Sequence, residues 1–214
     1  MGVVCHSCWS KVLPLQSPFC SQCGYAFPSK IIQSSKPLCG NCRRNLFLFD
    51  FARSFTTFHD PLKEIIHQFK YRSHRSLARP LAHLLHSAYR LHFEQLTSDA
   101  MIAVPMHPSR ERERGFNQTA ELCKHFSRST HIPIEQVLLR TRPTKVQAGL
   151  SRRERRLNLR GAFKVSRKER IEGRSLLLID DVFTTGATVN ECAKILKESG
   201  ARRVHVLTVA RVIR

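Results

Sequence analysis

No run of apolar residues in this 214-residue chain approaches the ~20 that an α-helix needs to cross a bilayer, which excludes a helical membrane span. The opening Met-Gly-Val-Val-Cys-His lacks the apolar stretch of a secretory signal, so a cytoplasmic protein is expected. Acidic residues are scarce, 16 Asp and Glu against 36 Lys and Arg, for a net charge of +20. That excess favours polyanions: nucleic acid, phosphorylated ligands or an anionic membrane surface. Neither a Walker A loop nor a dinucleotide-binding glycine fingerprint is present. A hydrophobic content of 42% is ample for a core, and the length suits one α/β domain with a small appendage.

Cysteine is unevenly spread. Six of the eight fall in the first 42 residues as three Cys-x-x-Cys pairs: Cys5/Cys8, Cys20/Cys23 and Cys39/Cys42. Each pair forms a knuckle that points two thiolates at one ion, and two knuckles complete a tetrahedral zinc site. The last two pairs have zinc-ribbon spacing, whereas disulfides do not suit a cytoplasmic chain. The sequential choice is Cys20, Cys23, Cys39 and Cys42, with Cys5 and Cys8 spare or completed by a histidine such as His6. Pairing Cys5/Cys8 with Cys20/Cys23 is the alternative. Cys123 and Cys192, each alone in a helical pattern, read as small core residues. Residues 1–48 are then a metal-stapled module and 49–214 a second domain.

Residues 176–188 read Leu-Leu-Leu-Ile-Asp-Asp-Val-Phe-Thr-Thr-Gly-Ala-Thr. Leu176–Ile179 is a short, fully buried strand. Asp180 and Asp181 stand at its C-terminal end, and Val182 leads to the turn Thr184, Thr185, Gly186, Ala187 and Thr188. A helix follows, with Val189, Cys192, Ala193 and Leu196 on one face and Gly200 at its C-terminus. Thr188 with Glu191 reads as a capping box. Free backbone N–H groups, a helix N-terminus and hydroxyls make this turn an anion site, and Gly186 allows close approach of a ligand. The paired carboxylates would repel a phosphate but suit the vicinal hydroxyls of a ribose. The string resembles the phosphoribosyl pyrophosphate (PRPP) motif of type I phosphoribosyltransferases.

Elsewhere strands and helices alternate, which predicts a parallel sheet with ligands at its carboxyl end. Strands are expected at Phe51–Phe58, Met101–Met106, Ile134–Arg140, Leu176–Ile179 and Val204–Val209. Helices are expected from Asp60-Pro61 onward (Asp60 as N-cap), over about Ser76–Phe93, and up to Arg128. Residues 107–118 read as a polar, basic loop whose Arg110, Arg112 and Arg114 are placed to cradle a pyrophosphate, and residues 141–160 carry charge without an apolar period. His83 and His86 lie one turn apart with no third ligand and read as surface or half-buried histidines.

The order of motifs resembles the ComF family of competence proteins over nearly the whole chain. It runs from Cys-x-x-Cys pairs through Gln68-Phe69-Lys70-Tyr71, Val104-Pro105 and Arg114-Gly115-Phe116-Asn117-Gln118. Thr144, Gln147 and Leu150 follow, then Asn158-Leu159 and Gly161-Ala162-Phe163, and last the acidic pair with its threonine loop. Fuller members carry four Cys-x-x-Cys pairs where this chain has three. The resemblance implies a type I phosphoribosyltransferase-like fold (a parallel sheet flanked by helices, with an N-terminal zinc module) and a role in single-stranded DNA uptake during transformation. Structural zinc, magnesium with PRPP, and a DNA-uptake helicase or channel as partner follow from it. PRPP would be held by residues 180–182 and 184–188, with Lys70 and Arg114 beside the pyrophosphate.

Two functions of different class fit. One is magnesium-dependent transfer of ribose 5-phosphate from PRPP to a nitrogenous base, with Asp180 and Asp181 catalytic by positioning and charge. No segment is assignable to recognition of the base. The other, preferred here, is a binding protein that keeps the PRPP site and handles single-stranded DNA. Residues 140–174 hold 13 basic and 3 acidic residues, a net +10, densest at Arg152, Arg153, Arg155, Arg156 and Arg160. These arginines are the expected nucleic-acid contacts.

Overall fold

A computed structural model describes residues 3–213 except 17, 28–34, 72–73 and 145–150, and only the backbone of Arg152, Arg153, Arg155 and Arg156. The motif positions Gln147 and Leu150 lie outside the described residues. The N-terminal segment holds two one-turn helices, α1 (His6–Trp9) and α2 (Gly40–Arg43). Strand β1 (Phe51–Thr57) precedes helices α3 (Leu62–Tyr71) and α4 (Ala78–His92), then β2 (Ala100–Ala103). Helices α5 (Pro108–Arg114) and α6 (Gln118–Thr130) lead to β3 (Leu138–Arg140). Helix α7 (Arg152–Leu159), β4 (Phe163–Val165), β5 (Ser175–Phe183), α8 (Ala187–Glu198) and β6 (Arg203–Arg211) complete the order.

Four strands form a parallel sheet in the order β1-β6-β5-β2. Successive side chains of a strand face opposite ways. Leu176, Leu178, Val204 and Val206 therefore pack on one face with Val189, Cys192, Ala193 and Leu196 of α8. Leu177, Ile179, Leu207 and Val209 pack on the other with α3, α4 and α6. Both faces are covered, which is why these strands read as unbroken apolar runs. Each fully buried leucine contributes about 1.5–3 kcal/mol. Cys20, Cys23, Cys39 and Cys42 belong to the core on the α8 face.

Three expectations change. Leu138–Arg140 is the only strand within 134–140, and it pairs antiparallel with β4 outside the main sheet. Ile134 makes a single bridge to Met101 at the edge of that sheet. Residues 108–114 are helical, not a loop. Pro108 stands in the first turn, the His107 ring accepts from the Ser109 N–H, and Gly115 ends the turn at φ +80°. A helix polar all round shows no apolar period. The charged stretch likewise contains α7, opened by a reciprocal cap in which Ser151 N donates to Glu154 and Glu154 N to Ser151 Oγ.

Strands β1 and β6 are also joined by their side chains, with Ser54 Oγ and Thr208 Oγ1 buried 2.6 Å apart. Thr208→Val should cost about 1–3 kcal/mol by stranding the Ser54 hydroxyl. Adding Ser54→Ala should recover part of that loss in urea titration. A double variant as unstable as the two singles summed would show the hydroxyls to be uncoupled.

Candidate functional site

Strand β5 runs through Phe183, so Asp180 and Asp181 sit within its last residues rather than beyond it, Asp180 in register with Thr208. Gly186, at φ +78°, is the N-cap of α8. A Cβ there would lie 2.5 Å from the Phe183 ring and 2.8 Å from that of Phe47, so only glycine fits. Thr185 Oγ1 accepts from Ala187 N at 3.4 Å. The expected Thr188–Glu191 capping box is absent, because the helix already begins at Ala187. Glu191 instead accepts from Gly161 N at 2.9 Å. Gly200 ends α8 as anticipated: Gly200 N and Ala201 N return to Lys197 and Leu196 carbonyls, a Schellman closure.

A cleft of about 340 Å³ opens at the carboxyl ends of β2 and β5. It brings together Lys70, Arg114, Asp180, Asp181, Val182, Thr184 and Thr188 from the sequence-derived set. Thr185, Gly186 and Ala187 shape the turn without lining the cleft. Arg160 is exposed and also outside it. The side chains of Arg152, Arg153, Arg155 and Arg156 lie outside the described residues.

Lys70 Nζ is 2.7 Å from Asp181 Oδ2. Asp180 Oδ1 accepts from the Asp181 N–H at 2.9 Å. Although its surface is partly accessible, the Asp180 carboxyl is closely enclosed by protein. Desolvation first, and the Asp181 charge second, push it up to about 7, against the pull of Lys70 and Arg140.

Arg140 and Tyr71 stand in the cleft outside the sequence-derived set, beside Arg110 of the basic segment 107–118. Arg140 enters from β3 with its Nε unpartnered and its Nη2 on Thr144 Oγ1. Burial first and nearby Arg110 second lower its pKa, yet a guanidinium remains charged. Arg110 donates to the Thr144 carbonyl at 3.2 Å. Tyr71, 60% exposed, lies beneath the Arg114 guanidinium, 4.7 Å from its ring. The Gln-Phe-Lys-Tyr motif could have flagged Tyr71, whereas Arg140 sits in a segment with no local sign of an active-site approach. The cleft thus presents four cations around two carboxylates.

The second centre is the cysteine cluster. The Sγ atoms of Cys20, Cys23, Cys39 and Cys42 all lie within 4.8 Å of one another, and Cys23 and Cys39 are 3.6 Å apart. A tetrahedral zinc with Zn–S of ~2.3 Å needs sulfurs ~3.8 Å apart, so the set fits. Cys39 N donates to Cys20 Sγ at 3.3 Å. Two buried guanidiniums flank the cluster. Arg53 donates to the Cys20 and Ser21 carbonyls, and Arg211 to the Cys23 carbonyl at 2.5 Å. Cys5 and Cys8 lie outside the cluster, which excludes the pairing of Cys5/Cys8 with Cys20/Cys23. Cys123 and Cys192 are buried singly. His83 is exposed and His86 half-buried, in no metal cluster among the described residues.

A phosphoribosyl transferase domain matches residues 124–213. The chain is 33% identical to competence protein F of Haemophilus influenzae, covering 97% of this chain and 90% of that one. It is 34% identical to DNA utilization protein YhgH of Escherichia coli, covering 98% and 91%. Among solved structures it is similar to glutamine PRPP amidotransferase of B. subtilis, at 21% identity and a TM-score of 0.43. That likeness covers 63% of this chain and about a quarter (26%) of the enzyme. The chain belongs to the ComF family of competence proteins, with a type I phosphoribosyltransferase-like fold.

Each centre can be tested by a single substitution. Cys39→Ser should strip the metal from its cluster and leave Arg53 and Arg211 without a buried counter-charge. The cost, about 3–5 kcal/mol, should appear as a lower thermal midpoint for the whole chain. A loss confined to residues 1–48, with the sheet unaffected, would contradict it. At Asp180, the unfolded carboxyl ionises near pH ~4 and the folded one near 7. Between those values the native state holds a proton that the unfolded state lacks, so stability falls as pH rises. Asp180→Asn should therefore raise the thermal midpoint at pH 8 and not at pH 4, by at most about 4 kcal/mol. A gain that does not vary with pH would mean that Asp180 is ionised throughout.

Proposed function

We propose that the cleft binds PRPP with magnesium and that the chain handles single-stranded DNA during uptake in natural transformation. The observation that carries this is the acidic pair, held at a threonine-lined helix N-terminus and faced by Lys70, Arg110, Arg114 and Arg140. In this reading the Thr184–Thr188 turn takes the 5-phosphate. Asp180 and Asp181 accept from the ribose hydroxyls, and Lys70 and Arg114 neutralise pyrophosphate. Magnesium, when bound, supplies further positive charge at the pyrophosphate. Residues 1–48 serve as a zinc module and 49–214 as the phosphoribosyltransferase-like domain.

Binding is favoured over transfer for a chemical reason. The only carboxylates among the described residues lining the cleft are Asp180 and Asp181. Both are engaged by the sugar, which leaves no spare general base among those residues to take a proton from an acceptor nitrogen. The DNA reading is supported by the net +20 charge and by relatives named for competence and DNA utilization. Arg152, Arg153, Arg155, Arg156 and Arg160 on and beside α7 are its proposed phosphate contacts. Tyr71, exposed at the mouth of the cleft, adds one face for base stacking, worth ~1–3 kcal/mol. A helicase or channel of the uptake machinery is the expected partner.

Calorimetric titration with PRPP and magnesium, beside single-stranded DNA binding across a salt series, tests both halves. Asp180→Ala with Asp181→Ala should abolish PRPP binding, each charge-assisted bond being worth ~1.5–3 kcal/mol. Reversing Arg152, Arg153, Arg155 and Arg156 to Glu should weaken DNA binding. The log–log salt slope should flatten as well, by ~0.7 for each phosphate no longer neutralised. PRPP affinity untouched by the double variant would remove the ribose assignment. A salt slope untouched by the four reversals would move the basic segment to ligand closure and favour the transferase.

A further inference from the structure

Cys5 and Cys8 form the Cys-x-x-Cys pair that the tetrathiolate cluster leaves over. Their backbone is not arbitrary. Cys5 caps α1 at φ −74°, ψ 159°, and Cys39 caps α2 at φ −72°, ψ 165°, each followed by a four-residue helical turn. In both, the N–H four residues on returns to the cysteine carbonyl: Trp9 to Cys5 at 3.2 Å, Arg43 to Cys39 at 3.0 Å. The conformation that aims Cys39 and Cys42 at one point is therefore built a second time at the N-terminus.

Cys5 is exposed and Cys8 half-buried, and none of the residues of α1 is buried. Cysteine is among the residues most often buried, so a pair held at the surface is poorly explained by packing. Cys5 Sγ lies 3.2 Å from Ser7 Oγ.

What this half-site lacks is two more ligands. Among the described residues no other cysteine, histidine or carboxylate clusters with it. The remaining residues include no Cys, His, Asp or Glu. Two further ligands are to be sought outside these 214 residues, and a second copy offers the same two thiols in the same geometry. Two-fold pairing brings like onto like, the arrangement a symmetric dimer uses. Val3 and Leu13, 42% and 65% exposed on either side of the turn in the chain, provide apolar surface around it.

We propose that Cys5 and Cys8 of two copies of this chain share one zinc ion, closing a tetrathiolate site between protomers. Binding releases the thiol protons and changes no oxidation state. The site does not depend on what the cleft binds.

Zinc content by mass spectrometry and molecular mass by sedimentation equilibrium test this on the full chain. Moderate salt should be used, to screen repulsion between two chains of net charge +20. The wild type should sediment as a dimer with about 1.5 zinc ions per chain, and Cys5→Ser with Cys8→Ser as a monomer with about one. The difference of half an ion reports the shared site, and the amount remaining in the variant reports the Cys20–Cys42 cluster, so either can fail without the other. Equal zinc and equal mass in the two proteins would overturn the proposal. So would loss of a whole ion per chain without a change of mass, which would mean completion within one chain. Both residues are at the surface, so the variant should keep its thermal midpoint. Should it lose it, the single Cys5→Ser change must still halve the shared zinc or remove it.

Discussion

Two buried arginines against four buried thiols are the constraint on which this structure turns. Arg53 and Arg211 are 8% and 3% exposed, and both stand on neighbouring strands of the sheet. A guanidinium cannot shed its proton, so burying two of them requires negative charge close by. Four thiolates around a divalent zinc would carry a net charge of −2, which two guanidiniums would neutralise. Each arginine also donates to a carbonyl of the metal-binding segment, so the charges are held by hydrogen bonds as well. The N-terminal segment is thereby fastened to the carboxyl-end region of the sheet rather than carried loosely beside it.

That attachment reaches the cleft. Phe47 and Phe49, just beyond the last cysteine pair, stack at 4.9 Å and meet Phe183 edge-on at 6.0 Å. Phe47 and Phe183 leave no room for a side chain at Gly186, and so fix the turn that opens α8. A small cavity of about 30 Å³ is walled by Cys23 and Cys39 on one side and by Thr184 and Thr185 on the other. The cysteine cluster and the Thr184–Thr188 turn therefore share packing. A disturbance of the first has a short, dense route to the second.

Inside the cleft, like charges are kept together at a cost. Asp181 is paired with Lys70, while Asp180 is crowded by Asp181 and closely enclosed by protein. The site thus holds charge that folding alone would avoid, as is common at functional sites. The cations around it come from α3, α5 and β3, so three separate segments supply the field. The polar helix α5 contributes through its position and charge alone, since it buries none of its residues.

The amino-acid sequence by itself determined the alternation of strands and helices, the acidic pair with its threonine turn, and the thiol pairs. These are local patterns: apolar runs bounded by turns, and ligands spaced by two residues. Lys70 and Arg114 were legible only through their family motif, and the structure sets both in the cleft with Asp180 and Asp181. Tertiary structure alone decided which four cysteines converge, because three equivalent pairs differ only in where the chain carries them. It also decided that Arg140 reaches the cleft, that Arg53 and Arg211 answer the thiol charge, and that residues 138–140 leave the main sheet. Each of these depends on contacts between residues from 16 to 188 positions apart, and no short-range period encodes such a contact.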